Sequence, residues 1–269
     1  MQPKNRSNLR IALGKKYYMG KRYFEWCFGG TEFALSIDSE LKPYTVFEHR
    51  TPLLRKLKDV DMWLQYNKIT NIKLAIKKID GLIIYPGETF SFWKLVGKTT
   101  VGKGYVEGMV LSHGKFKPGV GGGLCQLSNL IYWMTLHTPL KVTERHRHSY
   151  DVFPDSDRKL PFGSGATCFY NYIDLRIAND TDQPYQLHLY LNDEYLMGEW
   201  RTTIEQKERY EVYQKEHWIS HEYWGGYARH NTIFRKKYDQ SSKLVDDEYI
   251  TENHAIMMYE PLLSNRYHK

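Results

Sequence analysis

Three consecutive glycines, Gly121-Gly122-Gly123, run directly into a segment where Leu124, Leu127, Leu130, Ile131 and Met134 recur at helical spacing until Pro139 stops the pattern. Glycine gives up more backbone freedom on ordering than any other residue and is the residue that allows tight turns. The chain therefore turns at the glycines and starts a helix at once. That helix is apolar enough to be largely buried, and Cys125 falls in its first turn. Any fold this chain adopts has to wrap a helix that begins on a thiol.

The neighbouring segments supply the wrapping. From Asp61 to Asp80, Trp63, Tyr66, Ile69, Ile72, Ile76 and Ile79 share one helical face, and Gly81 supplies a stop. Leu82-Ile83-Ile84-Tyr85 before Pro86-Gly87 predicts a short buried strand and a turn, then a second extended piece through Phe90-Ser91-Phe92-Trp93. Residues 101 to 120 carry five glycines and predict loops and short strands. Val142 to Val152 predicts an extended segment. From residue 171 the pattern alternates, through Ile173, Leu175 and Ile177, then Tyr185, Leu187, Leu189 and Leu191, a turn at Asn192-Asp193, and Tyr195-Leu196-Met197. Residues 1 to 60 predict a helix, a break at Gly29-Gly30 and a stretch limited by Pro43 and Pro52. More strands, with a turn at Gly225-Gly226, are expected beyond Glu205. The fold class is α+β: an antiparallel sheet around the cysteine-bearing helix (61–200), a basic, aromatic, helical N-terminal extension (1–60) and a β-rich C-terminal region packed on the domain (201–269).

Composition narrows the function classes. Hydrophobic residues at 41% and charged residues at 26% are ordinary for a globular protein that buries a core. Three cysteines, Cys27, Cys125 and Cys168, are too few and too odd in number for a disulfide scaffold, so a reducing compartment, the cytoplasm, is the expected location. Arg10, Lys15, Lys16, Lys21 and Arg22 interrupt every apolar run near the start, and neither an export signal nor a membrane span is expected. The net charge of +7 is concentrated in residues 1 to 30, where seven Lys and Arg face Glu25 alone, interleaved with Tyr17, Tyr18, Tyr23, Phe24 and Trp26. Two readings fit this segment: an anionic membrane surface as partner at the inner membrane face, or a basic helix whose aromatic face packs on the domain. No zinc-finger spacing, RNA-binding aromatic signature or long basic stripe points to nucleic acid.

A thiol at a helix N-terminus meets unpaired backbone N–H groups and the positive end of the helix dipole, which favour thiolate. The loop Gly121, Gly122, Gly123, Leu124 and Gln126 around it leaves room for a substrate carbonyl and offers amides for an oxyanion. A base is also needed. His146 and His148 lie on the next predicted extended segment, on one face, with Arg147 on the other. Ser128, Arg145 and Ser149, beside these groups along the chain, are the candidates for holding substrate. Three alternatives stand beside this reading. Cys125 can be a small buried hydrophobe with glycines serving close packing. Cys125, His146, His148 or His113 can bind a metal, although no zinc-type paired spacing is present. Cys125 and Cys168 can form a disulfide. Outside the metal alternative, His113 and His137 are expected to be surface or core histidines without a special role, and no metal or cofactor is expected.

The run Pro86-Gly87-Glu88-Thr89-Phe90-Ser91-Phe92-Trp93, the run from Gly121 to Leu130, Glu144-Arg145-His146-Arg147-His148-Ser149, Ala166-Thr167, and Ile173-Asp174-Leu175-Arg176-Ile177-Ala178-Asn179-Asp180 together resemble the VanW family, in order and spacing, over roughly residues 60 to 200. The resemblance implies a link to glycopeptide resistance. It also implies cysteine-dependent L,D-transpeptidase-like chemistry on a peptidoglycan stem peptide or precursor, with Cys125 as nucleophile and His148, in the family's His-Ser pair, as base. A departure from the family pattern is Gly165, where many members have Asp before Ala-Thr. That substitution removes the carboxylate expected to orient the histidine. The competing expectation is a non-catalytic accessory or binding protein at the membrane surface.

Overall fold

A computed structural model describes residues 7–54, 61–112, 115–152 and 160–261. In chain order the elements are α1 (Asn8–Phe28), β1 (Tyr44–Pro52), α2 (Met62–Ile79), β2 (Leu82–Ile84), β3 (Thr89–Ser91), α3 (Phe92–Val96), β4 (Glu107–Ser112), β5 (Lys115–Val120), α4 (Cys125–Thr135), β6 (Lys141–Glu144), β7 (Tyr150–Asp151), β8 (Arg176–Ala178), β9 (Tyr185–Leu191), β10 (Tyr195–Thr202), β11 (Arg209–His221), β12 (Tyr227–Tyr238) and β13 (Leu244–Met257). The fold is α+β, and the named strands pair antiparallel except for a two-residue parallel contact between β13 and β7; an isolated parallel bridge also links Phe33 to Thr89.

Alternation in the sequence becomes a sheet of order β1-β10-β9-β2, and α4 lies against β1 and β10. Strand and helix approach closely because Gly198 lacks a side chain: a Cβ there would sit 2.7 Å from Met134 Cε. Leu127, Leu130, Ile131 and Met134 are fully buried, and Trp200 from β10 donates through Nε1 to Thr135 Oγ1 at 3.1 Å. A three-stranded sheet, β3-β8-β6, and the hairpin β4–β5 close the other sides. The long C-terminal strands form a separate sheet, β11-β12-β13-β7. It is joined to the body by Arg235, which donates to the carbonyls of Leu136 and Thr138 just past the end of α4, while the Arg229–Asp151 ion pair at 3.1 Å ties β12 to β7 within the sheet.

Several expectations shift in detail. The helix over 61–80 is present as α2, yet Trp63 and Tyr66 face solvent, while Gln65, Lys68 and Asn71 are buried. Ile72, Ile76 and Ile79 of the expected face are buried as read, and the buried polar residues beside them find partners: Asn71 Nδ2 donates to the carbonyls of Val106 and Gly122, and Lys68 Nζ to Gln65 Oε1 within the helix. Phe92 and Trp93 begin a helix instead of extending a strand, because Ser91 caps α3 through Lys94 N, and Asp174 Oδ1 accepts from Trp93 N. The segment 142–152 is a strand only at its two ends, β6 and β7, with residues 145–149 irregular between them. Residues 44–52 form an edge strand of the main sheet, paired along their length with β10, and Gln126 fixes the end of that strand by donating to Thr51 Oγ1 and the Pro52 carbonyl.

Candidate functional site

Cys125 is the first residue of α4, reached through a turn over residues 121–124 whose glycines are needed for close approach of the backbone. A Cβ on Gly122 would overlap the Gly108 carbonyl. Gly123 has φ +94° and lies against the stem of Lys68. The turn is pinned from outside by the Asn71 amide on the Gly122 carbonyl, at 2.9 Å. Among the described residues, the backbone N–H groups of Gly123, Leu124 and Cys125 donate to no partner, which leaves three donors at the positive end of α4.

The sulfur has two neighbours of consequence. Cys168 approaches Sγ to Sγ at 3.9 Å, with both thiols free, so no disulfide is formed. The Cys168 thiol hydrogen-bonds the Cys125 sulfur, and this, opposed by burial and reinforced by the adjacent His148 ring, holds the Cys125 thiol well below the ordinary range. Cys168 is pushed well above that range by the same bond, by burial, and by the Cys125 and Asp174 charges. The two thiols are thus pushed in opposite directions, Cys125 toward losing its proton and Cys168 toward keeping it. Cys125 is partly exposed and Cys168 is buried.

His148 is the histidine brought to the sulfur. His146 is directed elsewhere: its Nε2 lies 3.1 Å from Glu144 Oε1, in a cluster where Glu144 also meets Arg22 at 2.6 Å and Arg176 at 3.4 Å. The irregular backbone of 145–149 separates the two rings that strand alternation would have kept together. His113 lies outside the described residues. No cluster of three or more metal-ligating side chains occurs among the described residues.

The other anticipated site residues are tied into the fold. Ser128 is fully buried, and its hydroxyl donates to the Ala166 carbonyl at 2.7 Å while contacting Cys168 Sγ at 3.5 Å. Arg145 donates to the Gly165 and Gly163 carbonyls and to Asn253 Oδ1, and its guanidinium stacks on Tyr132, so it bridges α4 and the C-terminal sheet. Leu124 is core, and the Gln126 amide holds β1. Ser149 is exposed, one residue past His148. At position 165 a Cβ would stand 2.5 Å from Asn129 Oδ1, which accepts from Ala166 N at 2.8 Å; an amide here occupies the space a longer residue 165 would need.

Sequence reasoning gave no role to Asp174, Asn71 or Lys68. Asp174 is fully buried, accepts from Ser91 Oγ at 2.5 Å and from Trp93 N at 3.0 Å, and burial raises its pKa to about 6 despite those bonds. Its charge is one of the influences that keep Cys168 protonated. Clefts lined by Tyr44, Ile204 and Arg209, and by Glu25, Thr89, Glu144 and Arg176, lie away from Cys125.

A helix-start thiol held below its ordinary range beside a histidine, with free amides in the same turn, makes this an α+β domain with a candidate cysteine–histidine site. Residues 67–201 match the model of the VanW like protein family, and the chain belongs to that family. It is 40% identical over 183 residues to the vancomycin B-type resistance protein VanW of Enterococcus faecalis, covering 68% of this chain and 65% of that protein. It is 35% identical over 114 residues to the uncharacterized protein YoaR of Bacillus subtilis, covering 42% of this chain and 36% of that one. The matched region thus spans less than two thirds of each relative. No solved structure matches.

Proposed function

We propose that the chain is a cysteine-dependent acyl-transferase of L,D-transpeptidase type, acting on a peptidoglycan stem peptide or its precursor in the setting of glycopeptide resistance for which the enterococcal relative is named. The observation that carries this reading is the Cys125 thiol at the start of α4, held below its ordinary range, beside His148 and three undonated backbone N–H groups.

In the first half-reaction the thiolate attacks a peptide carbonyl carbon and forms a C–S bond. The developing oxyanion is met by the amides of the Gly123–Cys125 turn. The C–N bond to the terminal residue then breaks, and the departing amine takes its proton from protonated His148. In the second half-reaction an acceptor amine, deprotonated by His148, attacks the thioester, and the thiolate leaves regenerated. Cys168 acts as a positioning residue, donating its thiol hydrogen to the nucleophile's sulfur in the resting state.

The test is intact-mass analysis after incubation with a stem tetrapeptide or a carbapenem. An adduct is expected on the protein, absent in Cys125→Ala and slowed in His148→Ala. Its rate should level off at a pH below the ordinary thiol value of about 8.5. A protein with a reactive Cys125 that gives no adduct with either probe overturns the reading. One observation favours the second reading, a binding protein without turnover: among the described residues no carboxylate contacts the His148 ring, and Gly165 with Asn129 fills the place where one was expected. Stem-peptide binding by calorimetry without adduct would establish that alternative.

A further inference from the structure

The N-terminal helix turns its large apolar residues the wrong way for a helix that only packs on its own domain. Leu9, Leu13, Tyr17, Phe24 and Phe28 are 59 to 74% exposed, and the exposed Cys27 lies among them. At about 100° per residue, these positions fall within roughly 100° of arc on a rod about 30 Å long. Exposed Arg10 and Lys21 border one edge of the stripe and exposed Lys16 the other, with Lys15 further round. The one acid of the helix, Glu25, is turned inward to Arg22 and Arg176.

The opposite face is firmly held. Arg22 is buried and pairs with Glu144 at 2.6 Å. Tyr23 and Tyr170 share a 2.5 Å hydroxyl hydrogen bond, Tyr18 stacks on Tyr172, and Lys94 Nζ donates to the Trp26 carbonyl. The helix is thus fixed on its inner face with the apolar stripe outward, and it has no room to roll the stripe onto the body without breaking these contacts. No helix among the described residues is long and apolar enough to cross a membrane, and α1 is too basic to do so.

We infer that α1 is an in-plane membrane-surface helix whose stripe Leu9, Leu13, Tyr17, Phe24 and Phe28 enters the headgroup region of an anionic phospholipid bilayer. An apolar stripe edged by cations is the pattern that combines partial insertion with attraction to acidic headgroups. Charge also argues against a second copy of this chain as the occupant, since two such faces would bring like charges together. The same helix rests on the Tyr170 to Tyr172 segment that follows Cys168. Docking at the bilayer would therefore hold the Cys125–Cys168 pair on an adjoining element. This inference stands whether or not Cys125 turns over substrate.

The experiment is co-sedimentation of the full chain with vesicles of phosphatidylcholine containing phosphatidylglycerol, against vesicles of phosphatidylcholine alone, at low and high salt. Binding to the anionic vesicles is expected, at least about tenfold weaker to the neutral ones and weakened by salt. Lys16→Glu/Lys21→Glu should lower the partition coefficient by about 20-fold or more, at about fivefold per cation removed. Leu13→Glu/Phe24→Glu should abolish binding. In every variant, alkylation of Cys125 and circular dichroism should match the parent, which separates loss of the surface from loss of fold. The inference is overturned if the parent stays in the supernatant, if neutral and anionic vesicles bind it equally, or if folded Leu13→Glu/Phe24→Glu sediments like the parent. It is equally overturned if the face instead supports a dimer that this double variant dissolves, as read by sedimentation velocity.

Discussion

Helices α1 and α4 are built from similar material and used in opposite ways. Both are rich in leucine and aromatic residues. In α4 every residue from Leu130 to Thr135 is buried, and what reaches solvent is Asn129 and, in part, Gln126 and the thiol at its first position. In α1 the one buried side chain is Arg22, and the large apolar residues meet solvent. The difference lies in what each helix gives its partners. α4 offers apolar side chains to β1 and β10 on all sides, whereas α1 offers an arginine to a carboxylate and tyrosine hydroxyls to one another. Composition sets neither outcome; the chemistry of the docking face does.

The sharpest way to break this comparison is to truncate one leucine in each helix. Leu130→Ala should destabilise the protein by about 2–5 kcal/mol, because the fully buried side chain leaves a cavity against β10. Urea unfolding measures it, and a loss no larger than that of an α1 truncation would erase the distinction between the helices.

Next in size is the polar support beneath α4. Asp174 has a folded-state pKa of about 6 against 3.8 for the free side chain. The folded state therefore holds the proton more tightly than the unfolded one, and stability should fall as pH rises from about 4 to about 6, the reverse of a salt-bridged carboxylate. The difference amounts to at most about 3 kcal/mol. Asp174→Asn should remove that slope in denaturation curves taken at several pH values, and an unchanged slope would assign the effect to another group. The smallest effect belongs to α1. Leu13→Ala should shift stability by no more than about 0.5 kcal/mol, since its side chain is 59% exposed, and a larger shift in the same urea series would show that the stripe is covered.

The comparison also explains what could be read in advance. Helical period located α2 and α4, and alternation located β9 and β10, because in those segments local pattern and tertiary burial agree. Where they part, the sequence misleads. Trp63 and Tyr66 extend the apolar face of α2 on paper, yet the face that packs carries Gln65, Lys68 and Asn71, whose partners are supplied by each other and by residues 106 and 122. Ser128 and Arg145 stand next to Cys125 and His148 in the chain and so invited a substrate-binding role. Their hydrogen bonds run to Ala166, Gly165 and Asn253 instead, contacts that no local rule encodes. The two histidines of 144–149 were expected on one face, and a break in the strand between them sends one to a carboxylate and the other to the thiol. The cysteine and its helix start were legible because a glycine run before an apolar helix is a local signal. The proton donor Cys168 was legible only as a disulfide partner, since its role depends on burial and on Asp174.

The ties around Cys125 have a bearing on how the protein acquires its site in time. Gln126 reaches back to Thr51 and Pro52, Gly122 is held by Asn71, and Ser128 reaches forward to Ala166 and Cys168. None of these partners is a near neighbour in the chain, and contacts of such sequence separation form only after large loops have closed. A nascent chain that has emerged only as far as α4 already carries its nucleophile but lacks the segment that supplies Ala166 and Cys168. The Cys168 and His148 contacts that lower the proton affinity of the Cys125 thiol thus form only once the segment beyond α4 has joined it, and the rate at which Cys125 becomes reactive during refolding reports that long-range closure.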